Sequence, residues 1–148
     1  MRSHPSDKQL IKRFYSNEKD FARLVTMSDE EKKVIRISTK FTRLEENWNW
    51  PREDIGFSQN RWNLYRALFK KLKINGGIKR ENHDHDTVIY FIASSRGLAV
   101  SGSTKGYAYS KKNLTPLFSS LDNIKFSESG IAYKKLKDNW YLYYDYED

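Results

Sequence analysis

The chain has 148 residues, 15% of them aromatic and 31% charged, and 27 lysines and arginines against 19 acids leave it at +8. That length suits one domain over residues 1–148 with a sizeable core, and the aromatic content excludes a disordered chain. Cysteine is absent, which excludes disulfides, thiolate nucleophiles and cysteine metal sites.

Met1 to Ser6 has no apolar h-region, so the start does not read as a signal peptide. The chain is therefore either cytosolic or the trimmed form of a longer precursor. Ser6-Asp7-Lys8-Gln9 has capping-box spacing after Pro5 and predicts the start of a first helix. Leu10, Phe14, Phe21, Leu24 and Val25 form its apolar stripe as far as Met27, and Ser28 to Glu31 reads as a polar turn. Val34 to Ser38 predicts a short strand. Phe41 to Pro51 follows neither period, and its Trp48-Asn49-Trp50-Pro51 reads as an ordered loop that the proline keeps out of the next helix.

Ser58 caps a second helix that runs to Lys73, with Trp62, Tyr65, Phe69 and Leu72 facing inward and Asn75-Gly76-Gly77 to stop it. Strands follow. Ile78 to Glu81 is short, and Thr87 to Ala93 is apolar on both alternating faces, as a central strand covered on both sides is. Leu98 to Ser101 and Gly106 to Ser110 read as two strands around a glycine-bearing turn. Thr115-Pro116 opens a short helical turn to Leu121. Ile131 to Leu136 and Trp140 to Tyr146 flank Lys137-Asp138-Asn139 as a hairpin. The fold class expected is α+β, a two-layer sandwich of N-terminal helices on a mostly antiparallel, curved sheet. Phe14, Phe21, Trp62, Phe69, Ile89, Phe91 and Leu142 are its expected core.

Candidate chemistry is sparse. His83-Asp84-His85-Asp86 places two imidazoles on one side of an extended backbone, but a closed metal site needs more ligands, so neither metal nor cofactor is assigned. Gly102-Ser103-Thr104-Lys105-Gly106 lacks the spacing of a phosphate-binding loop and fits a hairpin turn. There is no Gly-x-Ser-x-Gly elbow, and the carboxylates Glu45, Glu46, Glu53 and Asp54 carry no sign of the burial that splits an acid–base pair. No residue is therefore assigned a catalytic role. Aromatics interleaved with lysines, as in Lys105-Gly106-Tyr107-Ala108-Tyr109, also occur in single-strand nucleic-acid grooves, although no RNA-recognition signature accompanies them.

His4-Pro5-Ser6-Asp7 leading into the first helix, Phe41-Thr42-Arg43-Leu44 with Trp48-x-Trp50-Pro51, the stretch Gly102-Ser103-x-Lys105-Gly106-Tyr107-Ala108-Tyr109 and the closing Asn139 to Tyr144 together resemble a family of bacterial proteins without an assigned activity. Members often look like lipoproteins, with a signal peptide and a lipidated cysteine before a Ser/Asp-rich start. The resemblance implies a periplasmic or cell-envelope location, a membrane tie only through a removed lipidated N-terminus, and no particular chemistry. The resulting expectation is a non-enzymatic envelope domain that binds a protein partner or polymer. A cytosolic nucleic-acid-associated domain is the alternative, and an envelope hydrolase comes third. Trp48, Trp50, Arg52, Lys105, Tyr107 and Tyr109 are the expected ligand-binding residues, because ordered loops rich in aromatics and cations suit recognition.

Overall fold

The computed structural model describes residues 4–44, 47–49, 57–83, 86–98, 101–126 and 128–147. Among these residues, three helices, α1 (Asp7–Ser16), α2 (Glu18–Glu30) and α3 (Gln59–Leu72), pack against one face of an eight-stranded sheet. The strands are β1 (Val34–Ile37), β2 (Thr42–Leu44), β3 (Asn47–Asn49), β4 (Gly77–His83), β5 (Asp86–Leu98), β6 (Ser101–Ser110), β7 (Gly130–Lys137) and β8 (Trp140–Glu147). In space they run β3-β2-β1-β4-β5-β6-β8-β7, each antiparallel to its neighbours. This is the α+β sandwich the sequence predicts.

The capping box forms: the Ser6 hydroxyl accepts the Gln9 N–H at 3.1 Å, and the Gln9 side chain accepts the Ser6 N–H at 2.9 Å. The predicted first helix is in fact two. At Asn17 the backbone leaves the helical region (φ −138°, ψ 30°), and the Asn17 amide donates to the Arg13 carbonyl. A short polar side chain that competes for backbone groups in this way breaks a helix despite a continuous apolar stripe. The expected polar turn at Ser28 to Glu31 is instead the last turn and C-cap of α2. Arginines from elsewhere hold it: Arg80 donates to Ser28 and Asp29, while Arg61 reaches Glu30 and Glu31. The helix capped by Ser58 lies where expected, but Lys73 ends it in the left-handed conformation (φ 55°), upstream of the glycines.

Three further expectations are corrected. Phe41 to Pro51 is not all loop, because β2 and β3 pair there as a short hairpin at the sheet edge. Ser101 to Ser110 is one strand, so the glycine-bearing segment is no turn. Thr115 to Leu121 forms no helix, because its backbone is committed to strand pairing. Tyr133 donates to the Pro116 carbonyl and accepts from the Phe118 N–H, which covers the outer edge of β7. Edge strands left open invite pairing with other chains.

Alternation sorts the sheet residues into two clusters. Ile78, Ile89, Phe91, Tyr107, Trp140 and Leu142 meet Phe14, Phe21, Trp62 and Phe69 of the helices in the main core. Val88, Tyr90, Ala108, Tyr133, Tyr141 and Tyr143 form a second cluster on the opposite face, under Leu114. There the Tyr90 and Tyr133 hydroxyls lie 2.7 Å apart, and burial pushes the Tyr143 hydroxyl up while Arg36 on β1 acts against that shift.

Phe69 is 1% exposed, so Phe69→Ala is expected to lower unfolding free energy by ~3–5 kcal/mol. Chemical denaturation checks this; a change within about half a kcal/mol of wild type would contradict the inward face assigned to α3.

Candidate functional site

α1 ends and α2 begins at Asn17, and a groove lies between α2 and the β7–β8 turn. Phe14 comes from the last turn of α1, Ala22, Val25 and Thr26 from α2, Tyr109 from the end of β6, and Trp140 from the start of β8. The rings of Tyr109 and Trp140 meet edge-on at 5.1 Å, and those of Phe14 and Trp140 are also 5.1 Å apart. Edge-on and tilted contacts at this distance are the favoured aromatic geometries and hold each ring in place. The turn is fixed from both sides. Asp138 takes the left-handed conformation (φ 49°), and the Ser110 N–H donates to the Asn139 carbonyl at 2.9 Å.

The groove encloses about 560 Å³, within the range of small-ligand sites. Its rim carries Glu18, Lys19, Lys137 and Asp138. Lys137 bridges the two walls, its ammonium 2.6 Å from Glu18 and 5.9 Å from the Tyr15 ring centroid. The Glu18 carboxylate holds the Lys137 ammonium above the usual lysine range. Both groups face water, so this contact is screened and can open.

Of the residues expected to bind ligand, Tyr109 lines this groove. Lys105 and Tyr107 do not belong to a ligand surface, and here the expectation is corrected. Both lie in the interior at 2% exposure or less, because β6 is a paired interior strand and not a loop. The Tyr107 hydroxyl donates to the Leu10 carbonyl at 2.9 Å. The Lys105 ammonium sits 2.8 Å from Asp7 and 3.0 Å from Asp122. Asp7 also accepts the Leu121 N–H at 2.7 Å and donates its own N–H to Asp122 at 2.8 Å. Burial works against the charge on Asp122, but the Asp7 N–H and the Lys105 ammonium outweigh it and hold its carboxyl below the usual range. A buried lysine ion-paired with two carboxylates acts as a structural lock between β6, the start of α1 and Asp122. Trp48 lies in β3 with its side chain outside the described residues, as are Trp50 and Arg52 entirely. Of the histidine-rich stretch, His83 ends β4 and Asp86 begins β5, paired with each other, while Asp84 and His85 are outside the described residues.

Sequence reasoning missed a second polar lock beside the first. His4 places Nδ1 2.8 Å from the Ser94 hydroxyl and Nε2 2.6 Å from the Ser103 hydroxyl, with its ring edge-on to Tyr144. Burial, then the charges of Arg96 and Lys105, push this imidazole down to about 4. It is neutral near pH 7, donating through one nitrogen and accepting through the other. No local signal joins residues 90 and more positions apart, so only the sheet register reveals it.

No protein-family profile, curated protein or solved structure matches this chain. The groove and the two locks are therefore read from their own chemistry.

The His4 lock makes a signed pH prediction. The unfolded chain takes up this proton near 6.5, whereas the folded protein refuses it until about 4. Its contribution to stability is therefore complete above pH 6.5 and lost as pH falls toward 4. Thermal melts should show wild type losing more melting temperature between pH 7 and 4 than His4→Gln does. Parallel curves for the two proteins would contradict the assignment.

Proposed function

We propose that this protein is a non-enzymatic binding domain of the bacterial cell envelope, and that the groove between α2 and the β7–β8 turn is its recognition surface. The observation that carries the reading is the groove itself: the half-buried Tyr109 ring, packed edge-on against Trp140, faces a cleft flanked by Glu18, Lys19, Lys137, Asp138 and Asn139. Apolar walls supply affinity in such sites, and a few placed polar groups fix orientation. Among the described residues, two polar clusters away from the groove are engaged internally. Lys105 is paired with both Asp7 and Asp122, and His4 spends both nitrogens on serines. With so low a proton affinity, His4 is also a weak general base at neutral pH. The envelope location rests on the likeness of the His4, Trp48 and Gly102 stretches to lipoprotein-like bacterial proteins.

Purified protein mixed with washed bacterial envelope fragments tests the reading. Wild type should sediment with them, and Tyr109→Ala, checked for an unchanged circular dichroism spectrum, should be retained at least tenfold less. Oligonucleotide binding should be weak, steeply salt-dependent and indifferent to Tyr109, as diffuse charge alone predicts. Micromolar oligonucleotide binding near physiological salt, weakened tenfold by Tyr109→Ala, would instead establish the nucleic-acid alternative.

A further inference from the structure

We infer that the connection between β6 and β7 is a contact surface for an anionic lipid bilayer. Leu117 and Phe118 enter the headgroup region, and the lysines around them meet the lipid phosphates. This surface is separate from the groove and does not depend on its proposed role.

The exposure of this connection is built in. Leu114 and Leu121 are buried, whereas every residue from 115 to 120 between them is exposed. Leu117 is 54% and Phe118 41% exposed. Backbone bonds hold the tip in this position. Tyr133 donates to the Pro116 carbonyl at 3.0 Å and accepts from the Phe118 N–H at 2.7 Å, while the Leu121 N–H donates to Asp7 at 2.7 Å. Among the described residues, the other large apolar side chains left in water, Tyr15 and Leu64, stand apart from each other in sequence. Single exposed apolar residues are ordinary, but an adjacent pair rimmed by charge marks an interaction site.

The rim is basic on both sides of the sheet. Leu117 and Tyr133 are partners in a parallel bridge, so their side chains fall on one side and that of Phe118 on the other. Lys135, two residues beyond Tyr133, shares the side of Leu117, and its ammonium lies 4.3 Å from the Tyr141 ring centroid. Lys134 takes the side of Phe118 and donates to the Ser119 carbonyl. Each apolar side chain thus has a lysine on its own side. Lys111, Lys112 and Lys125 belong to the same connection. Among the described residues none of these five lysines is ion-paired. Asp122, the nearest acid to the tip in the sequence, is already committed to Lys105.

An anionic bilayer calls for this combination. Peripheral binding scales with apolar area placed at the boundary of headgroups and acyl chains, and with cations held beside anionic lipid. A second copy of the chain, or a peptide added as a strand, suits the surface less well. Pro116 has no amide to donate along this edge, and two copies would bring their lysines face to face. Proline and lysine are the residues that discourage edge pairing. A polynucleotide would be served by the lysines but gains nothing from Leu117, which has no ring for a base to stack on.

Flotation with two kinds of vesicle tests the inference, one of phosphatidylcholine alone and one with a third of phosphatidylglycerol, both at millimolar lipid. Wild type should float with the anionic vesicles and not with the neutral ones, and added salt should weaken the association. The double variant Leu117→Ser/Phe118→Ser, checked for an unchanged melting temperature, should float at least fivefold less. Lys134→Gln/Lys135→Gln should also lose binding, whereas Tyr109→Ala should behave as wild type, which keeps this surface distinct from the groove. Absence of flotation with anionic vesicles at low salt overturns the inference. So does equal flotation of wild type and the Leu117→Ser/Phe118→Ser variant, which would leave only diffuse charge. A dimer in analytical ultracentrifugation that this variant dissolves, with no flotation of wild type, would overturn it in favour of an interface between copies.

Discussion

Gly106 lies so close to β5 that a Cβ built on it would stand 2.0 Å from the Phe91 carbonyl oxygen and 2.8 Å from the Ala93 nitrogen. No side chain fits there. The approach coincides with a bulge, since the register between β5 and β6 slips between Ile92 and Ser94. An extra residue in one strand makes it bend and reverses its alternation beyond that point. Ser94 and Arg96 thereby join Ser103 and Lys105 on the helix side of the sheet, where His4 and Asp7 wait. Glycine inside a strand usually weakens it, and it is retained where another backbone comes this near. Through this contact β6 runs unbroken from Ser101 to Ser110.

Much of the molecule follows from that continuity. Tyr107 enters the main core between Phe14 and Phe21, and its hydroxyl ties β6 to α1. Lys105 is drawn inside with it, which is tolerable only because Asp7 and Asp122 meet its charge. Removing a single partner from such a group costs far more than the intact group contributes. Part of the positive charge is thus internal and plays no role in attracting partners. At the far end of β6, Tyr109 is carried to the groove, where Trp140 of the neighbouring strand and Phe14 of α1 complete the lining. One strand therefore supplies the buried lock, the centre of the core and a wall of the candidate site.

The same strand marks where sequence reading stopped working. Helix α3 was legible because its apolar residues recur at helical spacing behind a serine cap, and β8 because its aromatics alternate. All seven residues expected in the core are buried. Gly102-Ser103-Thr104-Lys105-Gly106 has the composition of a turn, and only its partners make it a strand: β5 on one side, β8 on the other. Local composition cannot report a bulge on a neighbouring strand. For the same reason Lys105 and Tyr107 looked like recognition residues, since a lysine beside tyrosines is poor core material unless carboxylates arrive from Asp7 and Asp122. Tyr109 was recognised, but Phe14 and Trp140 were visible only as apolar positions. Their place beneath the groove depends on how α1, α2 and the β7–β8 turn come together, which local periodicity does not report. The His4 contacts to Ser94 and Ser103 had no sequence signal at all.

The lock, the core and the groove wall all depend on β6 being an interior strand rather than a glycine-rich loop. Native-state hydrogen exchange followed by NMR measures this directly. Amides of a strand paired on both sides open only with the whole molecule, whereas loop amides exchange through local fluctuations. The amides of Lys105, Gly106, Tyr107 and Ala108 should exchange as slowly as those of Phe91 and Leu142, with the same opening free energy. Exchange of these four within minutes, while Phe91 and Leu142 remain protected, would contradict the account.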